Sequence, residues 1–275
     1  MADSTRREEV LDRLTAGIAS LTTSEAWQEW LDVQSRFHRY SFNNTILIHL
    51  QRPDATRVAG FRTWKSLRRS VRKGEKGIVI LAPIVRRVRV ETEDGDEKVI
   101  AGTPTAFRTV HVFDIAQTDG DSLPEVCHRL DGEEPSGIYS SLVEVAHSIG
   151  YTVEEDYLPG ERNGDCDFEQ HRIRVEVRNS DVQQAKTLAH ELAHAILHEG
   201  FDGGREVAEL EAESVAYIVC DQLALDSGSY SFGYVATWAG GGQEAVKAIG
   251  ASGQRIVSAA RQILDGIAAP VEAAA

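Results

Sequence analysis

The stretch Lys-Thr-Leu-Ala-His-Glu-Leu-Ala-His-Ala-Ile-Leu-His-Glu-Gly, residues 186–200, decides the fold of the second half of the chain. Its long apolar run predicts a largely buried helix over residues 182–199 that ends at Gly200. Residues four apart lie on the same face of a helix, so His190 and His194 project together. Two imidazoles on a buried helix need a partner, and this spacing indicates a shared metal ion.

The residue between the two histidines completes an HExxH pattern. Glu191 lies beside the face that carries His190 and His194, where its carboxylate can accept a proton. Zinc lowers the pKa of a bound water to about 7, and a neighbouring glutamate can complete the deprotonation. The motif therefore predicts a zinc metalloendopeptidase site, with Zn²⁺ as cofactor, the two histidines as ligands and Glu191 as catalytic base. A pair of hydrogen-bonded core histidines is the simpler alternative.

A catalytic zinc ion needs a third protein ligand and one open position. The next predicted helix, residues 205–223, carries Glu209 and Glu213 on one inward face, whereas Glu206 and Glu211 are expected to be solvated. We predict that Glu209 is the third ligand, which makes the site gluzincin-like, and that Glu213 orients a ligand histidine. The reverse assignment of the two glutamates stays open.

Other polar residues near the motif have less defined predictions. His198 lies off the direction of His194, and we expect it to cap the helix or lie at the surface. Tyr217, Tyr230, Tyr234 and His171 are candidates for stabilising an oxyanion, and the sequence does not choose among them.

The charge of the chain is distributed unevenly. Residues 36–89 contain 14 Lys and Arg against two acids, a net charge of +12. The whole chain has a net charge of −14, so the other residues together carry −26. One basic segment in an acidic protein indicates a polyanionic partner, with a merely solvated basic face as the alternative.

Aromatic residues are interleaved with the cations of this segment, and cations with aromatic platforms are what binding to single-stranded nucleic acid requires. We assign Phe37, Phe42 and Phe61 to packing. The predicted DNA-binding residues are Arg39, Tyr40, Asn44, Trp64, Lys65, Arg68, Arg69, Arg72, Lys73 and Lys76.

Breaker-rich residues 118–137 indicate a domain boundary, which we place between a domain at 1–125 and a second at 136–275. Mixed helical and strand patterns on both sides predict an α+β fold in each. Predicted helices include 138–149, 230–239 and 242–268; predicted strands include 78–81, 109–113, 151–154 and 173–177, with a hairpin loop around Asp94-Gly95. We find no signal peptide or membrane span, and three cysteines without a CxxC pair favour a cytoplasmic protein.

The zinc motif and the Glu209-Leu210-Glu211-Ala212-Glu213-Ser214-Val215-Ala216 run resemble the ImmA/IrrE metallopeptidases. That resemblance implies a zincin-like domain with a small sheet and an active-site helix, and its zinc-binding glutamate maps onto Glu209. This chain departs by having Glu213 where the family usually has Asp or Asn, and Val215 for Phe.

The first domain resembles that of ArdC-type antirestriction proteins, through Arg39-Tyr40-Ser41-Phe42-Asn43-Asn44, Thr63-Trp64-Lys65, residues 71–77 and residues 112–120. The resemblance implies binding of single-stranded DNA, a following HExxH domain, and protection of incoming DNA from restriction on a mobile element. The partners are then single-stranded DNA and an unknown protein or peptide substrate. Two alternatives stay open: a DNA-protection protein with a non-proteolytic zinc site, and an IrrE-like regulator that cleaves a repressor.

Overall fold

Two units of packed residues make up the protein, as seen in a computed structural model that describes residues 2–91, 97–123, 135–225 and 242–268. The first unit comprises residues 1–17 and 46–122, and the second comprises 18–45 and 123–275. Both contain helices and strands, so the predicted α+β class with two domains is confirmed. The predicted helix at 230–239 and the loop around Asp94-Gly95 lie outside the described residues. No described helix is long and apolar enough to cross a membrane.

Three helices open the chain: α1 (Ala2–Ser20), α2 (Ser24–Arg36) and α3 (Phe42–Gln51). Thr23 precedes α2 in an extended conformation, and its hydroxyl accepts a hydrogen bond from the Ala26 backbone N–H at 3.2 Å. That bond satisfies one of the free N–H groups at the helix start, which is why the helix begins there.

The first unit continues through β1 (Val58–Gly60), α4 (Phe61–Ser66), β2 (Arg69–Val71), β3 (Ile78–Glu91), β4 (Glu97–Asp114), a 3₁₀ turn (Ile115–Gln117) and β5 (Thr118–Gly120). The antiparallel strands lie in the order β1-β4-β3, and β2 pairs separately with β5. The Gln51 amide donates to the Val79 carbonyl and accepts from the Val79 N–H, both at 2.9 Å. The end of α3 is thereby fastened to β3.

The second unit contains α5 (Pro135–Ser148), β6 (Thr152–Asp156), β7 (Gly164–Asp167), β8 (Arg172–Glu176), α6 (Asp181–Leu197), α7 (Arg205–Gln222) and α8 (Gly242–Ala268). Its sheet has the order β6-β8-β7, with β6 parallel and β7 antiparallel to β8. The small sheet and the active-site helix predicted from the sequence are both present. Strand β7 had no predicted counterpart, because the four residues of this strand show no apolar alternation.

Helix α2 packs within the second unit, although its sequence precedes the basic segment. The Trp27 indole N–H donates to Ser214 of α7 at 3.0 Å, and the Trp30 ring meets the Phe42 ring edge-on at 5.1 Å. Both tryptophans are fully buried. The division into domains at 1–125 and 136–275 stays a prediction about sequence organisation, while the packing groups residues 18–45 with the second unit.

Two glycines of α8 are expected to respond in opposite ways to alanine. A Cβ at Gly253 would lie 2.3 Å from the buried Phe42 ring, whereas a Cβ at Gly250 would meet only Ile18 at 4.0 Å. We expect Gly253→Ala to lower the free energy of unfolding by about 1–3 kcal/mol through overpacking. Gly250→Ala should raise it by about 0.5–1 kcal/mol, because alanine loses less backbone entropy in a helix. Denaturant unfolding measures both, and equal effects at the two positions would contradict this packing.

Candidate functional site

Three side chains from α6 and α7 converge in the second unit. The Nε2 atoms of His190 and His194 lie 3.0 Å apart, and Glu209 Oε2 lies 3.4 Å from the first and 3.8 Å from the second. Tetrahedral zinc with bonds of about 2.0–2.2 Å places its ligand atoms roughly 3.3–3.6 Å apart. The three separations lie on either side of this range, so the triangle is close to the size that a divalent metal ion needs, and these residues form the candidate metal cluster among those described.

Glu213 stands behind His190 rather than in the triangle. Its Oε2 lies 3.1 Å from His190 Nδ1, and its Oε1 lies 3.4 Å from the ammonium group of Lys186. Burial lowers the pKa of His190, but hydrogen bonds to Glu209 and Glu213 outweigh it and raise that pKa to about 9. The distances place Glu209 beside the Nε2 atoms of both histidines and Glu213 beside the far nitrogen of His190, an arrangement compatible with the predicted roles of a ligand and an orienting group.

Glu191 is buried beside the triangle, and burial raises the pKa of its carboxyl although the two histidines oppose the shift. A pKa moved toward neutrality suits a general base. Strand β7 covers this side chain closely, since a Cβ at Gly164 would lie 3.0 Å from Glu191 Cγ. A pocket of about 270 Å³ opens here, and its lining residues are Asn163, Gly164, Gln183, Lys186, Thr187, His190, Glu191 and Glu213.

Two residues near the triangle differ from their predicted environment. The His198 backbone N–H does cap α6, bonding to the His194 carbonyl, but its side chain is buried and not at the surface. Glu211, which we expected to be solvated, is fully buried and bonded to His198, Ser252 and Arg255. Burial raises the pKa of Glu211, and the bonds from these three groups outweigh it and lower that pKa.

Of the four candidates for stabilising an oxyanion, the structure describes the contacts of Tyr217 and His171. The Tyr217 hydroxyl donates to Asp32 of α2 at 2.5 Å, so it serves the contact between α2 and α7. His171 stacks on Tyr151 and lies 3.7 Å from Glu199. The other two candidates, Tyr230 and Tyr234, lie outside the described residues.

In the first unit, a groove of about 660 Å³ lies beside residues 71–77, a turn that contains Gly74 and Gly77 and three basic side chains and that we call the basic turn. It is lined by Arg13, Leu50, Gln51, Arg52, Gly74, Glu75, Lys76, Gly77, Ile78 and Gln117. Arg13 and Lys76 are exposed, and neither has an ion-pair partner among the described residues. Arg52 lies 3.6 Å from Asp54. The sequence pattern predicted Lys76 but missed Arg13 and Arg52, because Arg13 comes from an otherwise acidic helix and Arg52 from a helix end.

Two of the predicted DNA-binding arginines are already engaged within the first unit. Arg69 donates to Thr118 Oγ1 at 2.8 Å and to several backbone carbonyls of β5 and the following residue. Arg72 donates to Glu75 at 2.9 Å and to Asp119 at 3.4 Å, and also to a backbone carbonyl of the 3₁₀ turn. Both arginines hold β2 and the basic turn in place.

The prediction that Trp64 offers a stacking surface is wrong. Its side chain is 1% exposed, and its indole N–H donates to the Phe113 carbonyl at 2.8 Å, so the ring belongs to the core. Phe61, which we assigned to packing, is 57% exposed instead. Both residues lie on the six-residue helix α4, and the Phe113 carbonyl satisfies the N–H of the buried indole.

The remaining predicted DNA-binding residues divide between the units. Lys65, Arg68 and Lys73 are exposed in the first unit, whereas Arg39, Tyr40 and Asn44 belong to the second. Phe37 and Phe42 are buried, as predicted.

The helix with HExxH, the triangle of potential ligands and the buried glutamate define the class: this is a protein with a metallopeptidase-like domain. Residues 150–220 match the IrrE N-terminal-like domain, Peptidase M78. Residues 4–113 match the N-terminal domain of anti-restriction factor ArdC. The chain is thus an ArdC-like protein, and the recognition made from its motifs is confirmed.

Solved structures and a curated relative extend the comparison. Metal-free antirestriction protein ArdC from plasmid R388 aligns with a TM-score of 0.52 at 23% identity, covering 83% of this chain and 85% of that one. The Mn(II)-bound structure of the same protein aligns with a TM-score of 0.49 at 22% identity, covering 87% of this chain and 98% of that one. The likeness of the metal-free structure supports the fold. An uncharacterized Bacillus anthracis protein is 26% identical over 86% of this chain and 47% of its own length, so this chain spans about half of that relative.

Proposed function

We propose that this chain is a zinc-dependent peptidase that binds single-stranded DNA and protects incoming DNA from restriction. The observation that carries the proposal is the triangle of His190, His194 and Glu209 beside the buried Glu191. Two imidazoles and a carboxylate suit zinc in a catalytic site. A buried carboxylate with a raised pKa next to such a triangle suits hydrolysis, whereas a purely structural metal needs no base.

In this proposal, a zinc ion supplies Lewis acidity and makes its water more acidic. Glu191 would accept a proton from the water whose oxygen attacks the peptide carbonyl, and would pass that proton to the amine nitrogen as the C–N bond breaks. The pocket beside Glu191 receives a part of the substrate, and its lining is polar: Asn163, Gln183, Lys186 and Thr187. Glu213 accepts a hydrogen bond from Nδ1–H of His190, which leaves the lone pair of Nε2 directed at the triangle.

In this proposal, the groove of the first unit binds the DNA backbone. Three cations, Arg13, Arg52 and Lys76, border it, and Gly74 leaves the turn without a side chain. Exposed cations on the same unit and the exposed ring of Phe61 provide the charge and the stacking surface that single strands require. Arg69 and Arg72 would act by holding the turn in place.

The biological role rests on the ArdC likeness and belongs to the proposal. The family matched by residues 4–113 and the matched protein of plasmid R388 are described as antirestriction proteins. A DNA-binding unit joined to a peptidase unit fits an enzyme that acts on a protein at incoming DNA. A cytoplasmic location follows from such a partner, and the free thiols of Cys166 and Cys220 are compatible with it.

Metal analysis of purified variants tests the site. We expect about one zinc per wild-type chain, and no zinc in His190→Ala or Glu209→Ala, because each removes a ligand. Glu213→Ala should keep the metal with an affinity roughly 10–100-fold lower, because only the orientation of His190 is lost. Elemental analysis with competition titration measures this. Full loss in Glu213→Ala with retention in Glu209→Ala would reverse the assignment of the two glutamates, and manganese in place of zinc would correct the cofactor.

A further inference from the structure

A second set of buried groups leads from His194 away from the triangle toward α8. His194 Nδ1 lies 2.8 Å from His198 Nδ1, and His198 Nε2 lies 3.3 Å from Glu211 Oε2. Two side chains of helix α8 contact Glu211 and complete the set. The Ser252 hydroxyl donates to Glu211 Oε1 at 2.5 Å, and the Arg255 guanidinium donates to both carboxylate oxygens.

Donor and acceptor roles in this set follow from its two ends. Glu211 accepts hydrogen bonds from Ser252 and Arg255, and an ionised carboxylate can only accept, so His198 must donate to it from Nε2. The neutral His198 ring then has a lone pair on Nδ1, which requires His194 to donate from its own Nδ1. His194 is left with its lone pair on Nε2, the atom that faces Glu209.

We propose that His198 and Glu211, held by Ser252 and Arg255 of α8, orient His194 for metal binding. This inference rests on the metal site of the proposed function and adds positioning residues to it. His190 has Glu213 behind its Nδ1, and His194 has His198 in the equivalent place, so each ligand histidine has its own orienting partner. In proteins, a metal-ligating histidine nearly always donates its second ring N–H to a carboxylate, a backbone carbonyl or water, and in this proposal His198 takes that place for His194.

Packing alone does not account for the set. Glu211 is 0% exposed and Ser252 is 1% exposed, and a buried carboxylate is costly unless every lone pair finds a donor. A leucine or methionine would fill the same space without that cost. Here the carboxylate fixes the tautomer of a histidine, and that histidine fixes the tautomer of a ligand.

Two substitutions at His198 separate positioning from packing. His198→Leu removes both hydrogen bonds, while His198→Gln keeps an acceptor for His194 and a donor for Glu211. We expect the affinity for Co²⁺ or Zn²⁺ to fall about 10–100-fold in His198→Leu and to stay within about threefold of wild type in His198→Gln. The control is His147→Leu, an exposed histidine of α5, which should leave the affinity unchanged. Thermal unfolding of the metal-free proteins monitors folding.

The outcomes distinguish this inference from the proposed function. A wild-type protein that binds no metal overturns the metal site itself, whereas a wild type that binds metal with His198→Leu equal to it overturns the positioning role alone. If His198→Leu does not fold, ¹⁵N NMR of the zinc-loaded wild type decides the matter. A proton on Nδ1 of His194 and on Nε2 of His198 supports the inference, and the opposite tautomers overturn it.

Discussion

Glu191→Gln is expected to abolish peptide hydrolysis while leaving metal content and DNA binding unchanged. The amide has the size of the carboxylate but cannot accept a proton, and general-base contributions are typically 10²–10⁴-fold in rate. Glu191 is outside the triangle, so the ion should remain bound. The substrate is unidentified, so the measurement compares new peptide N-termini in a cell lysate treated with purified wild-type or variant protein, with and without oligo-dT.

The matched control is Glu144→Gln, an exposed glutamate of α5 that does not line the pocket beside Glu191. It changes the same chemical group in the same unit and should cleave like the wild type. Equal numbers of new N-termini for wild type and Glu191→Gln, in both conditions, would contradict a peptidase. A restriction assay in cells then completes the comparison, since undiminished protection by Glu191→Gln would mean that protection depends on DNA binding alone.

The sequence could bring together the residues of the candidate metal site because they are close in the chain or share a helix face. His190 and His194 are i,i+4 neighbours, and Glu209 and Glu213 are another such pair. Helical spacing does not decide which glutamate faces Nε2 of both histidines, and only the distances to the two nitrogens of His190 favour Glu209 for that place.

His198 and Glu211 could not be recognised in the same way. The groups that explain the burial of Glu211 are Ser252 and Arg255, 41 and 44 residues later in the chain. An isolated glutamate on an amphipathic helix is usually solvated, and only tertiary packing makes this one an exception.

The same limit applies to the first unit. The basic turn and the helix and strand pattern follow from local sequence. The burial of Trp64 and the exposure of Phe61 do not, because the residue that accepts the hydrogen bond of the Trp64 indole, Phe113, lies 49 residues later in the chain. Arg13 likewise enters the groove only because α1 passes beside it. Residues that act through distant segments are therefore the ones that the sequence assigned wrongly or missed.

Removing the three cations of the groove is expected to weaken binding of single-stranded DNA strongly and in a salt-dependent way. For single strands, each phosphate contact contributes about 0.7 to the magnitude of the slope of log affinity against log salt concentration. The triple variant Arg13→Ala, Arg52→Ala, Lys76→Ala removes three such contacts, so the magnitude of its slope should be about 2 smaller than that of the wild type. The affinity for oligo-dT should then fall roughly 50-fold near 0.15 M salt and roughly 500-fold near 0.05 M salt. Fluorescence anisotropy across a salt series measures both quantities.

A control with the same change in net charge separates local contacts from the overall field. Arg7, Arg162 and Lys247 are exposed and none lines the groove, so their triple alanine variant should keep the slope and lose little affinity. If both triple variants lose affinity equally, the DNA responds to total charge and the groove is no binding site. If only the groove variant loses slope, phosphates lie at Arg13, Arg52 and Lys76, because counterion release counts contacts rather than charge at a distance. A groove variant that binds like the wild type at both salt concentrations would show that the DNA contacts other cations. Lys65, Arg68 and Lys73 are exposed residues of the same unit that were predicted to bind DNA.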